Sequence, residues 1–300
     1  MTHRLPMGSL LTITASVMYG IGGPVFSALL LADGWTTPTI ILCAELLSMA
    51  FLAVCMRRKG IAFRVEKRQL LQLVTLGGTS YWAMGILLGS AYRYMLSGVA
   101  SMIHFIYPIV VVVIMALLFR ERITFSKVTC IAVSMLGISL IVGGDGGGSE
   151  GNFAFGAALA AASGVAYAIY IVASDRSGFS QLNGLLTAFY IQATGAVLTS
   201  VYLAATKSLA FHLSVRNIFC AMAYPLTSMA AILCLSEGIR RIGAAKASII
   251  NMLEPAVALF ASAIVFGGQD LTASTLLGCG CVLISVLVMA VEKNRSSAGP

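Results

Sequence analysis

The feature that most constrains this chain is an apolar stretch from Val99 to Phe119. It is interrupted only by Ser101, His104 and Tyr107 and closed by Arg120, Glu121 and Arg122. A bilayer core about 30 Å thick needs roughly 20 apolar residues of helix, so the stretch fits one transmembrane span with a charged exit. The same stretch then recurs. Ala100, Ser101 and Ile103 return as Ala247, Ser248 and Ile250, Pro108 as Pro255, Val110 as Val257, Ala116 as Ala263 and Phe119 as Phe266. A duplicated membrane protein is the expectation.

Ten apolar runs can be marked along the chain, at 7–31, 38–56, 70–91, 99–119, 125–142, 153–173, 185–205, 218–235, 247–266 and 271–291. The first is too long for a signal-peptide core and is read as a retained helix. Between the fifth and sixth runs lies Gly143 to Gly151, a flexible stretch without an apolar residue. This divides the chain into a first five-helix repeat at 7–143, an external Gly-rich linker at 144–152 and a second five-helix repeat at 153–292. Gly8, Val17 and Tyr19 align with Gly156, Val165 and Tyr167, and Ala83, Leu88 and Arg93 align with Ala230, Leu235 and Arg240. Because five is odd, the second repeat enters the membrane from the opposite side. The expected fold is an all-α membrane protein, ten transmembrane helices in two inverted five-helix repeats.

Lipid as the main solvent also follows from composition. The 300 residues are 59% hydrophobic and 10% charged, against about 25% charged for a soluble domain. The net charge of +8 is not gathered on a nucleic-acid-binding face. With the N-terminus inside, the cytoplasmic connections carry Arg4, the six cations from Arg57 to Arg68, Arg120, Arg122, Lys127, Arg176, Arg240, Arg241, Lys246, Lys293 and Arg295. The external ones carry Arg93, Lys207 and Arg216. The expectation is a multi-pass protein of the cell inner membrane with both termini cytoplasmic. The seven cysteines fall almost wholly inside apolar runs, which suits packing and neither a disulfide framework nor a metal site. No cofactor is expected.

Two repeats with a proline in the fourth helix of each, Tyr107-Pro108 and Leu253-Glu254-Pro255-Ala256-Val257, point further. Ala91-Tyr-Arg-Tyr94, Phe119-Arg-Glu-Arg-Ile-Thr124 with Gly137, and Phe266-Gly-Gly-Gln-Asp-Leu-Thr272 complete the pattern. It resembles the EamA-type branch of the drug/metabolite transporter superfamily over essentially the whole chain. Gln269 and Asp270 stand where that family usually has Gly-Glu, and Glu45 stands where an Arg is common. The resemblance implies a transporter of a small amphipathic metabolite, an amino acid or related compound, with efflux as the direction. A lipid flippase of the same fold is the alternative. An intramembrane enzyme on a lipid-linked substrate is the more distant one, since no clustered nucleophile, metal set or acid pair appears. The Gly147–Gly151 match to G-x-S-x-G lacks the strand and sheet-packed helix that motif needs.

Polar groups inside the spans are the candidate site, because each is costly in lipid. Ser101, His104 and Pro108 share a helix face with Tyr107 beside it, and Ser248, Asn251, Glu254 and Pro255 occupy the matching face. The repeat sets His104 against Asn251 and Tyr107 against Glu254. The two stripes either line a common central cavity or bond neighbouring helices. Pro108 and Pro255 kink their helices, with the freed carbonyls turned to the cavity or simply packed. Glu45 and Glu254 are candidates to carry a proton, Glu45 alternatively being hydrated near the surface. Tyr19 and Tyr167 are repeat partners near the cavity. Trp82, Tyr81, Tyr170 and Tyr190 serve there or in an interfacial belt. The partners expected are the bilayer, a small-molecule substrate and a coupling proton as one option; the sequence carries no signal for an oligomeric state.

Overall fold

Apolar runs whose charges, Glu45 and Glu254 apart, lie at their ends leave helix as the structure that satisfies every backbone group without water. The computed structural model describes residues 6–95, 97–142, 152–266 and 272–292. Within them stand nine helices of 19 to 28 residues and one shorter apolar helix. They are α1 Met7–Ala32, α2 Thr37–Arg58, α3 Lys67–Ala91, α4 Val99–Phe119, α5 Phe125–Ile141, α6 Phe153–Arg176, α7 Gly184–Thr206, α8 Val215–Ile242, α9 Ala244–Phe266 and α10 Ala273–Val291. Each sequence run has its helix. The Gly-rich linker, the Gln269-Asp270 departure and the cations Arg4, Lys293 and Arg295 lie outside the described residues.

The two halves interlock rather than sit side by side. The most extensive helix pairs are α5 with α10, α1 with α8, α2 with α7 and α3 with α6. Every one of them joins the first half to the second. Small residues allow the approach. At the α1–α8 crossing a Cβ on Gly8 would stand 2.7 Å from Arg241 Cβ and 3.5 Å from the Gly238 carbonyl. At α6–α3 a Cβ on Gly156 would stand 2.7 Å from Tyr94 Cβ and 3.6 Å from the Ala91 carbonyl. The second contact is the repeat image of the first, residue for residue. Where α5 crosses α10, Gly137 and Gly278 face each other, and a Cβ on either would come within 2.6 Å of the other's carbonyl. The outward faces repeat too: Leu117 is 75% exposed and its partner Ile264 83%, as a lipid-facing surface requires.

Pro108 and Pro255 each break their helix. In α4 an α-helical piece, Ser97–His104, ends before a second, Tyr107–Phe119. In α9, Ala244–Ile250 passes through a 3-10 turn, Asn251–Leu253, before Glu254–Phe266. A wider, π-type turn spans Gly22–Ser27 in α1, around Pro24, and another spans Leu73–Gly78 in α3. Such turns occur often at functional positions.

Charges gather at the two ends of the bundle. At the end richer in Lys and Arg, Glu121 pairs with Lys127 and with Arg176 at 3.6 Å, while Asp175 accepts from the Ala244 amide at 3.3 Å. Lys246 reaches the Glu292 carbonyl, and Ser126 donates to Glu292 Oε2 at 2.9 Å. The ends of α4, α6, α9 and α10 are thereby tied together. At the other end Arg216 pairs with Asp33, and Trp35 Nε1 donates to the His212 carbonyl at 3.0 Å.

Candidate functional site

The broken helices α4 and α9 meet where they break. Asn251 Nδ2 donates to Tyr107 Oη at 3.1 Å, and Tyr107 Oη donates to the Ser248 carbonyl at 3.3 Å. Ser16 of α1 donates to Asn251 Oδ1 at 3.0 Å. Tyr107, Ser248 and Asn251 have no exposed surface, so their bonding is with protein and not with lipid.

From Tyr107 an aromatic column runs across the bundle. Its ring centroid is 4.8 Å from Tyr167 and 5.5 Å from His104, and His104 stacks on Tyr167 at 5.7 Å. Tyr170 stacks on Tyr167 at 5.9 Å and meets Tyr81 edge-on at 5.2 Å. Tyr81 Oη lies 3.4 Å from Tyr19 Oη. The column therefore joins α1, α3, α4 and α6, and Asn251 attaches it to α9. His104 Nδ1 is 2.8 Å from Ser163 Oγ, which also donates to the Ala160 carbonyl at 2.6 Å.

His104 and Asn251, paired by the repeat, each bond a serine, Ser163 and Ser16, on the repeat-related helices α6 and α1, one position out of register, and Asn251 alone also bonds Tyr107. The carbonyls released by the prolines are packed rather than turned to open space. That of His104 lies against Gly164, where a Cβ would stand 2.7 Å away, and that of Asn251 accepts the Glu254 amide in the 3-10 turn. Ser101 lies 3.4 Å from Tyr92 Oη, and the Ser248 hydroxyl donates to the Ala245 carbonyl.

Glu254 opens the second piece of α9. Its carbonyl faces Gly20 of α1, and its carboxylate is within electrostatic reach of Tyr81, Tyr92, Tyr107, Tyr167 and Tyr224. Glu254, Tyr81, Tyr19 and Tyr224 keep partial accessibility, although they stand in the middle third of their helices. Among the described residues the Glu254 carboxylate has no hydrogen bond and no ion pair.

Glu45 and Trp82 form a separate cluster. Trp82 Nε1 donates to Thr199 Oγ1 at 3.0 Å, and Thr199 donates to Glu45 Oε2 at 2.8 Å. Glu45 is 6% exposed and rests on Gly195 of α7, where a Cβ would overlap its carboxylate. It is thus shielded inside the α2–α7 pair. Tyr190 donates to the Phe63 carbonyl at 2.7 Å, near the charged end and away from the column. A polar cleft of about 270 Å3 lined by Asp175, Gln181, Glu237 and Arg240 also lies at that end. Ser16, Ser163, Thr199 and Tyr224 join these clusters without having stood out in the sequence, and Tyr92 had stood there only within the Ala91–Tyr94 motif.

The profile of the EamA-like transporter family matches residues 6–143 and again 154–291. The chain belongs to that family. An uncharacterized transporter of Archaeoglobus fulgidus is 29% identical over 77% of this chain and 81% of its own length. Uncharacterized transporters of Bacillus subtilis and a Synechocystis strain are 30% and 25% identical over 63% and 71% of this chain, and over 62% and 65% of their own lengths. A solved crystal structure superposes with a TM-score of 0.78 over 96% of this chain and 98% of that one, at 17% identity, a likeness of fold alone. This EamA protein is a multi-pass membrane transporter.

Proposed function

We propose that this EamA transporter carries a small amphipathic metabolite outward across the cell inner membrane by alternating access, with the Tyr107–Asn251 junction and the tyrosine column around it as the substrate region. The observation that carries the proposal is that junction. Two broken helices, one from each half, meet at their breaks beside an aromatic wall that includes the partly accessible Tyr19, Tyr81 and Glu254. A wall of phenol rings with one carboxylate suits a ligand with an apolar body and a polar end.

The repeats at 7–143 and 153–292, joined externally through 144–152, are the two units whose packings exchange. Inverted repeats have two near-equivalent arrangements, one open to each side. The excess of Lys and Arg at one end supports cytoplasmic termini. Ser101 and Ser248 lie next to the moving helix pieces, and Glu45 with Trp82 steadies the α2–α7 pair behind the site. A coupling proton remains an element of the proposal to be tested together with direction.

The experiment is a panel of aromatic and aliphatic amino acids and amines in vesicles holding the purified protein, inside-out and right-side-out, with and without a pH gradient. Saturable movement of one class, abolished by Tyr81→Ala and Tyr107→Ala, is the expected result. Uptake equal to that of protein-free vesicles across the panel would overturn the reading. Reporter fusions at Arg176 and Lys246 should read cytoplasmic, and fusions at Asp33 and Lys207 external; the reverse would invert the proposed direction.

A further inference from the structure

Resting on that transport reading, we propose that the substrate is an amphipathic amine whose ammonium group is received by the Glu254 carboxylate, and that zwitterionic amino acids and anions are excluded.

The polar groups of the column are already occupied with one another. Tyr107 bonds Ser248 and Asn251, Asn251 also accepts from Ser16, His104 is bonded to Ser163, and Tyr170 Oη lies 3.3 Å from Ser236 Oγ. The exceptions among the described residues are the Tyr167 hydroxyl, which is neutral, and the Glu254 carboxylate. The Glu254 carboxylate is partly accessible, stands in the middle third of α9 on a piece packed against α1, and lacks a hydrogen-bonding or charged partner among the described residues. A carboxylate in that setting without a cation is expensive. An incoming ammonium completes it.

The surroundings match a cation further. Tyr81, Tyr92 and Tyr224 are within electrostatic reach of the carboxylate, and Tyr19 adjoins Gly20, which packs on the Glu254 backbone. Tyrosine faces attract ammonium groups. Their apolar area takes up the rest of an amphipathic molecule.

Among the described residues no cation stands at that depth to hold a substrate carboxylate. The described Lys and Arg residues stand at helix ends or in connections, none within the middle of a span. Helix starts are the other anion receptors, and both central ones are spent. The piece beginning at Tyr107 has Pro108 without a donor, and its Ile109 and Val110 amides both bond the Ile106 carbonyl, at 3.0 and 3.3 Å. The piece beginning at Glu254 carries that side chain's own negative charge in its first turn. A zwitterion brought to Glu254 would leave its carboxylate unpaired.

Three probes sharing one aromatic body separate the alternatives: phenethylamine, phenylalanine and N-acetylphenethylamine. Equilibrium dialysis of radiolabelled probe against the purified full chain in detergent gives binding, and the vesicle assay gives movement. Binding of phenethylamine should be saturable and at least about tenfold tighter than that of the other two, the difference expected of one charge-assisted contact. Glu254→Gln should remove that preference, and Glu254→Asp should restore it in part, both variants being checked for a monodisperse elution profile. Equal binding of the three probes by the wild-type chain, or no saturable binding of phenethylamine, would overturn the proposal even if no variant folds. Vesicle transport of phenylalanine that survives Glu254→Gln would overturn the amine assignment and leave the transporter reading standing. Tight, Glu254-dependent amine binding without movement would do the opposite.

Discussion

Replacing Tyr107 with Phe deletes one oxygen, and the structure says what that oxygen holds. It accepts from Asn251 Nδ2 at 3.1 Å and donates to the Ser248 carbonyl at 3.3 Å, and the three residues are wholly buried. No water can take its place at that depth. Interhelical hydrogen bonds in membranes average about 0.6 kcal/mol, with a maximum near 1.7. Two bonds, one of them long, give a loss of about 1 kcal/mol, which lowers a melting midpoint by about 2–4 °C. Asn251→Ala loses more, because its bond to Ser16 goes as well. The double variant should be less damaged than the sum of the singles by about 0.5 kcal/mol, since the Asn251–Tyr107 bond can be lost only once. Circular dichroism melts of the four proteins in one detergent measure that coupling. A value below about 0.3 kcal/mol, the usual spread for independent sites, would refute the claim that this bond ties the broken helices together.

Gly195→Ala should destabilise by about 1–3 kcal/mol, because its methyl group overlaps the Glu45 carboxylate. In a Glu45→Ala background the same change should cost little, and an unrelieved loss in the melt would show that the overlap lies elsewhere. Gly8→Ala and Gly156→Ala should each lower the melting midpoint by similar amounts and add in combination, being repeat images in separate helix pairs; strong damage from one and none from the other would contradict the packing symmetry. The Arg216 guanidinium bonded to Asp33 holds its carboxyl below the usual carboxylate range. The pairing therefore stabilises above the unfolded value of about 3.9 and fades as pH falls through the lower folded value. Asp33→Asn should flatten the melting midpoint over that acid window, and an unchanged acid limb would remove the pair from the account.

Much of the fold is legible in the sequence, for a physical reason. Backbone satisfaction in lipid forces helix on each apolar run, and duplication writes the same small residues twice. Gly8 and Gly156 aligned in the sequence and make the same contact in space. The prolines marked the helix breaks as well. What stayed hidden was which side chain meets which. The Trp82–Thr199–Glu45 chain joins residues 117 and 154 positions apart on three helices, and no periodicity connects them. His104 and Asn251 share a repeat position, yet one finds Ser163 on α6 and the other Ser16 on α1, serines one position out of the repeat register. Repetition fixes helix positions, whereas hydrogen bonds depend on the individual side chains that each half has acquired since.

The interlocked pairing has a consequence for biogenesis. Each of the four main partners of α1, α2, α3 and α5 lies in the second half of the chain. When α5 has left the ribosome, its Gly137 face and the Gly8 face of α1 have no surface to close on. At a synthesis rate of about 5–20 residues per second, the remaining half arrives over roughly 10–30 s. During that interval the first five helices rest in lipid as a loose group, each stable as a helix but without its final neighbour. The assembled protein is thus a late event, and a chain stopped after the first repeat should be cleared by membrane quality control rather than persist as a half-transporter.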